Sequence, residues 1–201
     1  MNLRLLPTLL AAASLLLTGC LPESKNPLST PMNSTVDDRL EGIYVSRREK
    51  KDEDLSTMHF HYRGIKANGQ VRATPWLEVL DVEHEKAGGM KANAYRVLTT
   101  HIGEQDYMSF QDLSKGKDKA PYHFARYEFS WTGTLRIWLI NSDAVADAIK
   151  AGKLRGTVKA SKYTKDITIT DSTERLAAFV KASDPVKLFE GKPMVLYRLT
   201  R

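Results

Sequence analysis

The sequence predicts a mainly β fold with two short helices, an α+β chain built around an antiparallel β-barrel or a strongly curved sheet. About nine short β-branched or aromatic segments are separated by turn residues, which is typical of barrels and sandwiches. The first of these segments spans 42–46 and the last spans 194–199. Pairing the first strand with the last would close a barrel and remove both sheet edges.

Alternation of apolar and polar residues marks the individual strands. In 58–63, Met58, Phe60 and Tyr62 alternate with His59 and His61, as expected of a strand with one buried face. The clearest hairpin joins 122–129 to 134–140 through a turn at 131–133. Asn-Gly at 68–69 and Gly-Gly at 88–89 predict further turns, and 47–54 and 115–119 are expected to be exposed charged loops.

Two segments have helical spacing and punctuation. Asn141-Ser142 is predicted to cap a helix that carries an apolar stripe of Val145, Ala148 and Ile149 and lies on a surface. A second helix is predicted to open at Asp171, which has capping-box spacing to Glu174. A last turn is expected between 184 and 191, before the final strand.

The N-terminus has the order of an export signal. Arg4 is followed by an apolar run to Leu17, which is too short to span a bilayer. Leu17-Thr18-Gly19-Cys20 resembles the lipobox of bacterial lipoproteins. The resemblance implies that residues 1–19 are removed and that Cys20 receives a diacylglyceryl group and an amino-terminal acyl chain such as palmitate. An ordinary cleaved signal, or a short buried helix, is the alternative.

The residue after the lipobox bears on location. In Gram-negative lipoproteins, an aspartate directly after the lipidated cysteine resembles an inner-membrane retention signal. This chain has Leu21 at that position. The resemblance therefore implies an outer-membrane protein that faces the periplasm. Residues 20–36 are expected to form the lipidated cysteine and a Pro- and Ser-rich tether, which would hold a domain of residues 37–201 roughly 20–30 Å from the bilayer. Alternatively, part of this segment packs over the domain like a belt, and 31–39 forms a turn of helix that closes one end.

Composition limits the classes of partner. Removal of 19 residues from 201 leaves 182, the size of one domain, and a lone cysteine excludes an internal disulfide. The net charge of +6 for the whole chain favours anionic surfaces, although scattered lysines also fit an ordinary solvated surface. Nucleic acid is not expected as the partner of an exported protein.

The stretch Leu40-Glu41-Gly42-Ile43-Tyr44 resembles the opening strand of lipocalin-type barrels, in which a glycine precedes an aromatic residue. The chain departs from that pattern because it lacks Gly-x-Trp and has two helices where one is usual. The resemblance implies a lipocalin-like barrel with room for side chains or one small ligand.

Chemical motifs are sparse. His59 and His61 lie two apart on one strand face and are the candidate metal ligands, but no third ligand is fixed by the sequence, and a polar outer face is the alternative. No catalytic residue is predicted, because the chain has no Gly-x-Ser-x-Gly elbow and no glycine-rich phosphate loop, and no cofactor is predicted. A dispersed triad remains an open alternative.

The predicted function is therefore a non-enzymatic one. We expect a membrane-tethered module that binds an apolar or amphipathic envelope ligand. If Arg126 and Arg136 point inward they would hold an anionic headgroup, and if they point outward they are ordinary surface. The candidate ligand-binding residues are Tyr62, Trp76, Arg126, Arg136 and Trp138. A structural or assembly partner of another envelope protein is the alternative, and a weak hydrolase is a third; a ligand cavity would favour the binder, and a filled barrel the assembly partner.

Overall fold

A computed structural model describes residues 21–46, 55–67, 70–84, 88–116, 120–160 and 165–199. Eleven strands and three short α-helices are present in these ranges. Eight of the strands form a closed antiparallel barrel, which confirms the predicted fold class. The predicted loop at 47–54, the turn at 68–69 and part of the loop at 115–119 lie outside the described residues.

The barrel is an up-and-down meander in which each strand pairs with the next, and the last strand pairs with the first. Leu196 lies opposite Ser46 on one side and Leu135 on the other, so both expected edges are closed. The strands in spatial order are β2 (Gly42–Ser46), β3 (Leu55–Ala67), β4 (Gln70–His84), β5 (Met90–Ile102), β6 (Gln105–Asp112), β7 (His123–Phe129), β8 (Leu135–Leu139) and β11 (Met194–Arg198).

Strand alternation decides what fills the barrel. In β3, Phe60 and Tyr62 are buried inside, and His59 and His61 face outward, as the sequence predicts. The inner side chains are mostly large and apolar, and Tyr44, Leu77, Leu135 and Leu196 are fully buried. These residues form a packed core, which fills the middle of the barrel with protein atoms.

A second layer covers the outer face of one half of the barrel. It contains α1 (Ser142–Lys150), α2 (Thr173–Ala182), α3 (Pro185–Leu188) and a three-stranded sheet of β1 (Glu23–Ser24), β10 (Lys165–Ile169) and β9 (Gly156–Ala160). We call this layer the cap. Its apolar side packs against outward residues of β6 and β7, including Tyr107 and Phe124, and forms a second core.

The helix starts follow the sequence in part. The Asn141 side chain accepts hydrogen bonds from the backbone N–H groups of Asp143 and Ala144, so it caps α1 as predicted. In α2 the cap is Ser172 and not Asp171, whose side chain is buried beneath the helix start. The predicted last turn is α3, with Asp184 as its cap.

Residues 21–36 are part of the folded unit. Glu23 and Ser24 form β1, which pairs in parallel with β10, and the N–H of Leu28 donates a 2.9 Å hydrogen bond to Ser109. Leu28 is 2% exposed. These residues pack as the belt that the sequence left open and do not form a spacer of 20–30 Å, because the single buried leucine and the backbone pairing attach them to the cap. No helix among the described residues has the length and apolarity required to cross a membrane.

Candidate ligand site at one end of the barrel

One end of the barrel is closed by a 3-10 helix, Asp38–Leu40, that precedes β2. Leu40 is fully buried under it, and the Tyr44 hydroxyl donates a 2.8 Å hydrogen bond to the carbonyl of Arg39. A helical turn closing one end was the alternative for 31–39, and the structure has such a turn at 38–40, so only its last two expected residues are helical. Gly42, the first residue of β2, adopts φ +149°, and the guanidinium of Arg198 lies over the Tyr44 ring at 6.0 Å.

A network of polar side chains fixes this closed end. Asp37 accepts hydrogen bonds from Nε of Arg39 at 2.8 Å and from the hydroxyl of Tyr127 at 2.8 Å, and its own N–H donates to Tyr62. Burial raises the pKa of Asp37, but the hydrogen bonds from Arg39 and Tyr127 and the positive charge of Arg39 outweigh burial, so the pKa lies below 3.8. Asp37 is therefore negatively charged at neutral pH, and its hydrogen bonds hold it at the closed end of the barrel.

The network continues to the surface through Asp106. Nη2 of Arg39 lies 2.9 Å from Asp106, which in turn lies 2.7 Å from Nδ1 of His101. A His–Asp pair is the arrangement that hydrolases use to activate a nucleophile. No described hydrogen bond joins a Ser or Thr hydroxyl to His101, so this pair is only part of such a site.

The opposite end of the barrel differs in chemistry. Along β4 the inward residues change from Leu77 and Val79 in the core to Asp81 and Glu83 at the end of the strand. Asp112 ends β6 and is the register partner of Tyr95. We call this end, defined by Ser56, Asp81, Glu83, Tyr95 and Asp112, the acidic end.

Tyr95 is the centre of the acidic end. Burial, followed by the charges of Asp81, Asp112 and Glu83 in that order, raises its pKa to about 12. The hydroxyl of Ser56 donates a hydrogen bond to Asp81, and Lys91 lies 4.0 Å from Glu83. Three carboxylates therefore surround one phenol, with one exposed lysine as partial compensation.

Apolar side chains form the floor below these carboxylates. Tyr95 and Phe110 pack edge to face with ring centroids 6.2 Å apart, and Phe110 lies 5.4 Å from the ring of His123. Met58 and Leu139 complete the floor, and all four apolar residues are only partly buried where they meet the core. The acidic end thus combines a partly exposed aromatic and aliphatic surface with negative charge.

Most of the predicted ligand-binding residues lie elsewhere. Tyr62 is inside the barrel, but it is buried and bonded to Asp37 at the closed end. Trp76, Arg126, Arg136 and Trp138 alternate with core residues and therefore lie on the outer face. Of the two orientations left open for the arginines, the outward one is observed. Arg126 stacks on Trp138 at 4.1 Å, and Arg136 pairs with Glu128 at 3.4 Å. The arginines point outward because strand register puts Tyr127 and Ile137 inside. The condition for holding an anionic headgroup, an arginine inside the barrel, is therefore not met by Arg126 or Arg136.

Sequence reasoning missed the acidic end. Its carboxylates are spread over β4 and β6, and Asp81 follows the alternation of β4, so that this polar residue occupies an inward position. An acidic residue in an inward register position was the available signal.

The candidate metal ligands are both outward. Nδ1 of His61 lies 2.7 Å from Glu41, and His59, two residues earlier in β3, lies on the same face. Within the described part of the chain, no group of three His, Cys, Asp or Glu side chains has the geometry to hold a metal ion.

Comparisons with protein-family models, with curated proteins and with solved structures find no match to this chain. The class that the fold defines is a closed eight-stranded antiparallel barrel with an outer cap, consistent with a lipocalin-like α+β barrel.

Proposed function

We propose that this protein is a lipid-anchored envelope protein of the outer membrane that faces the periplasm and binds a small amphipathic molecule at the acidic end of its barrel. It acts without catalysis and without a cofactor. One observation carries the proposal: Tyr95, on a partly exposed aromatic floor, is surrounded by Asp81, Asp112 and Glu83. A molecule with a cationic group and an apolar body complements this surface.

The negative charge of the acidic end sets the chemical class of its ligand. A cluster of negatively charged carboxylates next to apolar walls raises the local concentration of cations. An aromatic face adds a cation–π attraction of about 0.5–2 kcal/mol. The apolar body would cover Met58, Phe110 and Leu139. An anionic headgroup, which only an inward arginine would have favoured, would be repelled by the three carboxylates.

A titration of the full chain tests this site. Decyltrimethylammonium, kept below its micelle concentration, is expected to bind in a calorimetric titration, whereas decyl maltoside with the same tail is expected to bind weakly. Asp81→Asn and Tyr95→Leu should each weaken binding. Glu78→Gln is the matched control, because Glu78 lies on the outward face of the same strand. Equal binding of both amphiphiles, or an equal loss in the control, would exclude the acidic end as the site.

The anchor has its own test. Cys20→Ser in the full chain is expected to move the protein from the membrane fraction to the soluble fraction, because no diacylglyceryl group can be attached to serine. Retention of the variant in salt-washed membranes would contradict lipid anchoring, and it would leave the ligand titration unaffected.

An assembly role is the second candidate, and it is favoured by the uncapped half of the barrel. Ile43 in β2 is the register partner of His59 in β3, and His59 is the register partner of Leu80 in β4. The N–H of Leu199 donates a hydrogen bond to the carbonyl of Ile43. Ile43, Leu80 and Leu199 are 41%, 42% and 52% exposed. The neighbouring charges pair with each other, as His61 does with Glu41, so this face fits an apolar protein surface better than an ionic polymer.

Site-specific crosslinking separates the two candidates. A photo-crosslinking residue in place of Leu80 should capture one envelope protein in cells if this face is an interface, and the same residue in place of Glu174 on the cap should not. Absence of a crosslinked product at position 80 would remove the assembly role.

A further inference from the structure

The cap contains a cleft that belongs to neither of these surfaces. It has a volume of about 380 Å³ and lies between α2 and the chain that follows α1. Its size is in the range of small-molecule sites. The cleft is lined by Lys153, Arg175, Ala178, Phe179 and Ala182.

Arg175 is held in place at this cleft by a buried partner. Its Nε donates a 2.7 Å hydrogen bond to Asp171, whose side chain is 1% exposed, whereas the Arg175 side chain is 52% exposed. The second oxygen of Asp171 accepts a 2.6 Å bond from the N–H of Arg155. The guanidinium is therefore oriented before any ligand arrives, which lowers the entropic cost of binding.

The surroundings of the cleft carry excess positive charge. Asp171 is approached by two guanidinium groups, since Nε of Arg155 lies 4.0 Å from it as well. Lys153 has no ion pair among the described residues. The nearby acid Glu174 is engaged by the hydroxyl of Ser172 at the helix start. Three cations, Lys153, Arg155 and Arg175, against the carboxylates of Asp171 and Glu174 leave a net positive charge, which gives the cleft affinity for an anion such as a phosphate.

The floor of the cleft is apolar. Arg175, Ala178, Phe179 and Ala182 are spaced so that they lie on one face of α2. Phe179 is partly buried against the core of the cap, and the two alanines are exposed and small, which leaves room above them. An alkyl chain on this floor would remain next to a phosphate held by Arg175.

We propose that the cleft binds an anionic phospholipid, with its phosphate on Arg175 and Lys153 and the first carbons of an acyl chain on Ala178, Phe179 and Ala182. The site is distinct from the acidic end, which selects cations. It requires neither acylation of Cys20 nor a ligand in the barrel.

Calorimetry with a water-soluble lipid tests the proposal. The full chain with Cys20→Ser, which cannot be acylated at this position, is titrated with dihexanoyl phosphatidylglycerol below its aggregation threshold. Dihexanoyl phosphatidylcholine and glycerol 3-phosphate are the comparison ligands, the first with no net charge and the second with no acyl chains. We expect the phosphatidylglycerol to bind most tightly.

Two variants locate the binding, and one serves as a control. Lys153→Gln removes a charge-assisted contact and should weaken affinity about tenfold. Ala178→Glu, at an exposed position, should abolish binding by filling the floor and repelling the phosphate. Lys187→Gln removes an exposed lysine of α3 and should leave affinity unchanged.

Each other outcome overturns the proposal. Glycerol 3-phosphate binding as tightly as the lipid would show a site for a free anion only. Equal binding of both lipids would remove the role of net charge. An equal effect of Lys187→Gln would show that the whole cationic surface, and not the cleft, attracts the lipid.

Discussion

The hydroxyl of Tyr127 donates a 2.8 Å hydrogen bond to Asp37, and this contact joins the N-terminal segment to the far side of the barrel. Tyr127 is 2% exposed, and burial together with the charge of Asp37 raises its pKa well above 10. The phenol therefore stays protonated and acts as a permanent donor. The closed end depends on this pair because Asp37 caps the 3-10 helix at the same time.

Tyr127→Phe is expected to destabilise the protein by about 1.5–3 kcal/mol, the range for a hydrogen bond to a charged group. The reason is that the partly buried carboxylate of Asp37 loses one of its donors. Urea unfolding followed by circular dichroism measures the effect. Tyr107→Phe is the control, since Tyr107 is equally buried and its hydroxyl has no described hydrogen bond. Equal losses in both variants would contradict a specific role for the pair.

Asp37 also predicts an acid dependence of stability. Its pKa in the folded state lies below the ordinary value of 3.8, so its contribution to stability is full above pH 4 and is lost as the pH falls through the folded-state pKa. Asp37→Asn should therefore cost stability at pH 7, and the difference from wild type should shrink below pH 4. Thermal unfolding at a series of pH values checks this. A difference that does not change with pH would show that the charge of Asp37 is unimportant.

Tyr95 is expected to ionise late. With a pKa of about 12, it should be absent from the tyrosinate absorbance that develops near pH 10, and Tyr95→Phe should remove only the late part of the curve. Asp81→Asn should lower this pKa, because it removes one of the negative charges that oppose ionisation. Glu78→Gln on the outer face should have no effect. Since the folded-state pKa is raised, stability from this residue is full below pH 10 and is lost as the pH rises toward 12.

Leu28 should behave as a core residue despite its position near the N-terminus. Leu28→Ala is expected to cost about 2–5 kcal/mol in unfolding experiments, because it leaves a cavity between the belt and the barrel. Met32→Ala is a matched control in the same segment, since Met32 is 97% exposed. If the two variants were equally stable, the belt would contribute nothing to the cap.

The strands that can be predicted are those whose pattern is local. Phe60 and Tyr62 alternate with polar neighbours, and the register of the barrel follows from such pairs. The Asn141 cap is likewise a local signal. In a strand with only one apolar face, the pattern of charge and hydrophobicity is therefore enough to place its two faces.

Other features depend on contacts between distant residues. Asp37 meets Tyr127 across 90 positions, and Leu28 meets Ser109 across 81, so no window of sequence contains either pair. The direction of Arg126 was left open by the sequence because a hairpin pattern does not say which face becomes the interior when both faces carry aromatic residues. Here the cap covers the second face, which makes Trp138 partly buried on the outside.

With Cys20 acylated as proposed, the early start of the belt would limit where this protein works. Only Leu21 would separate an acylated Cys20 from Pro22, which is already buried, and two residues span roughly 7 Å. Such a short linker between anchor and domain would confine the barrel to the layer of water next to the lipid headgroups. The domain would diffuse laterally with its anchor. Its encounters would then be two-dimensional: molecules already at the membrane surface would be met often, and molecules dissolved in the wider compartment only when they drift to the bilayer.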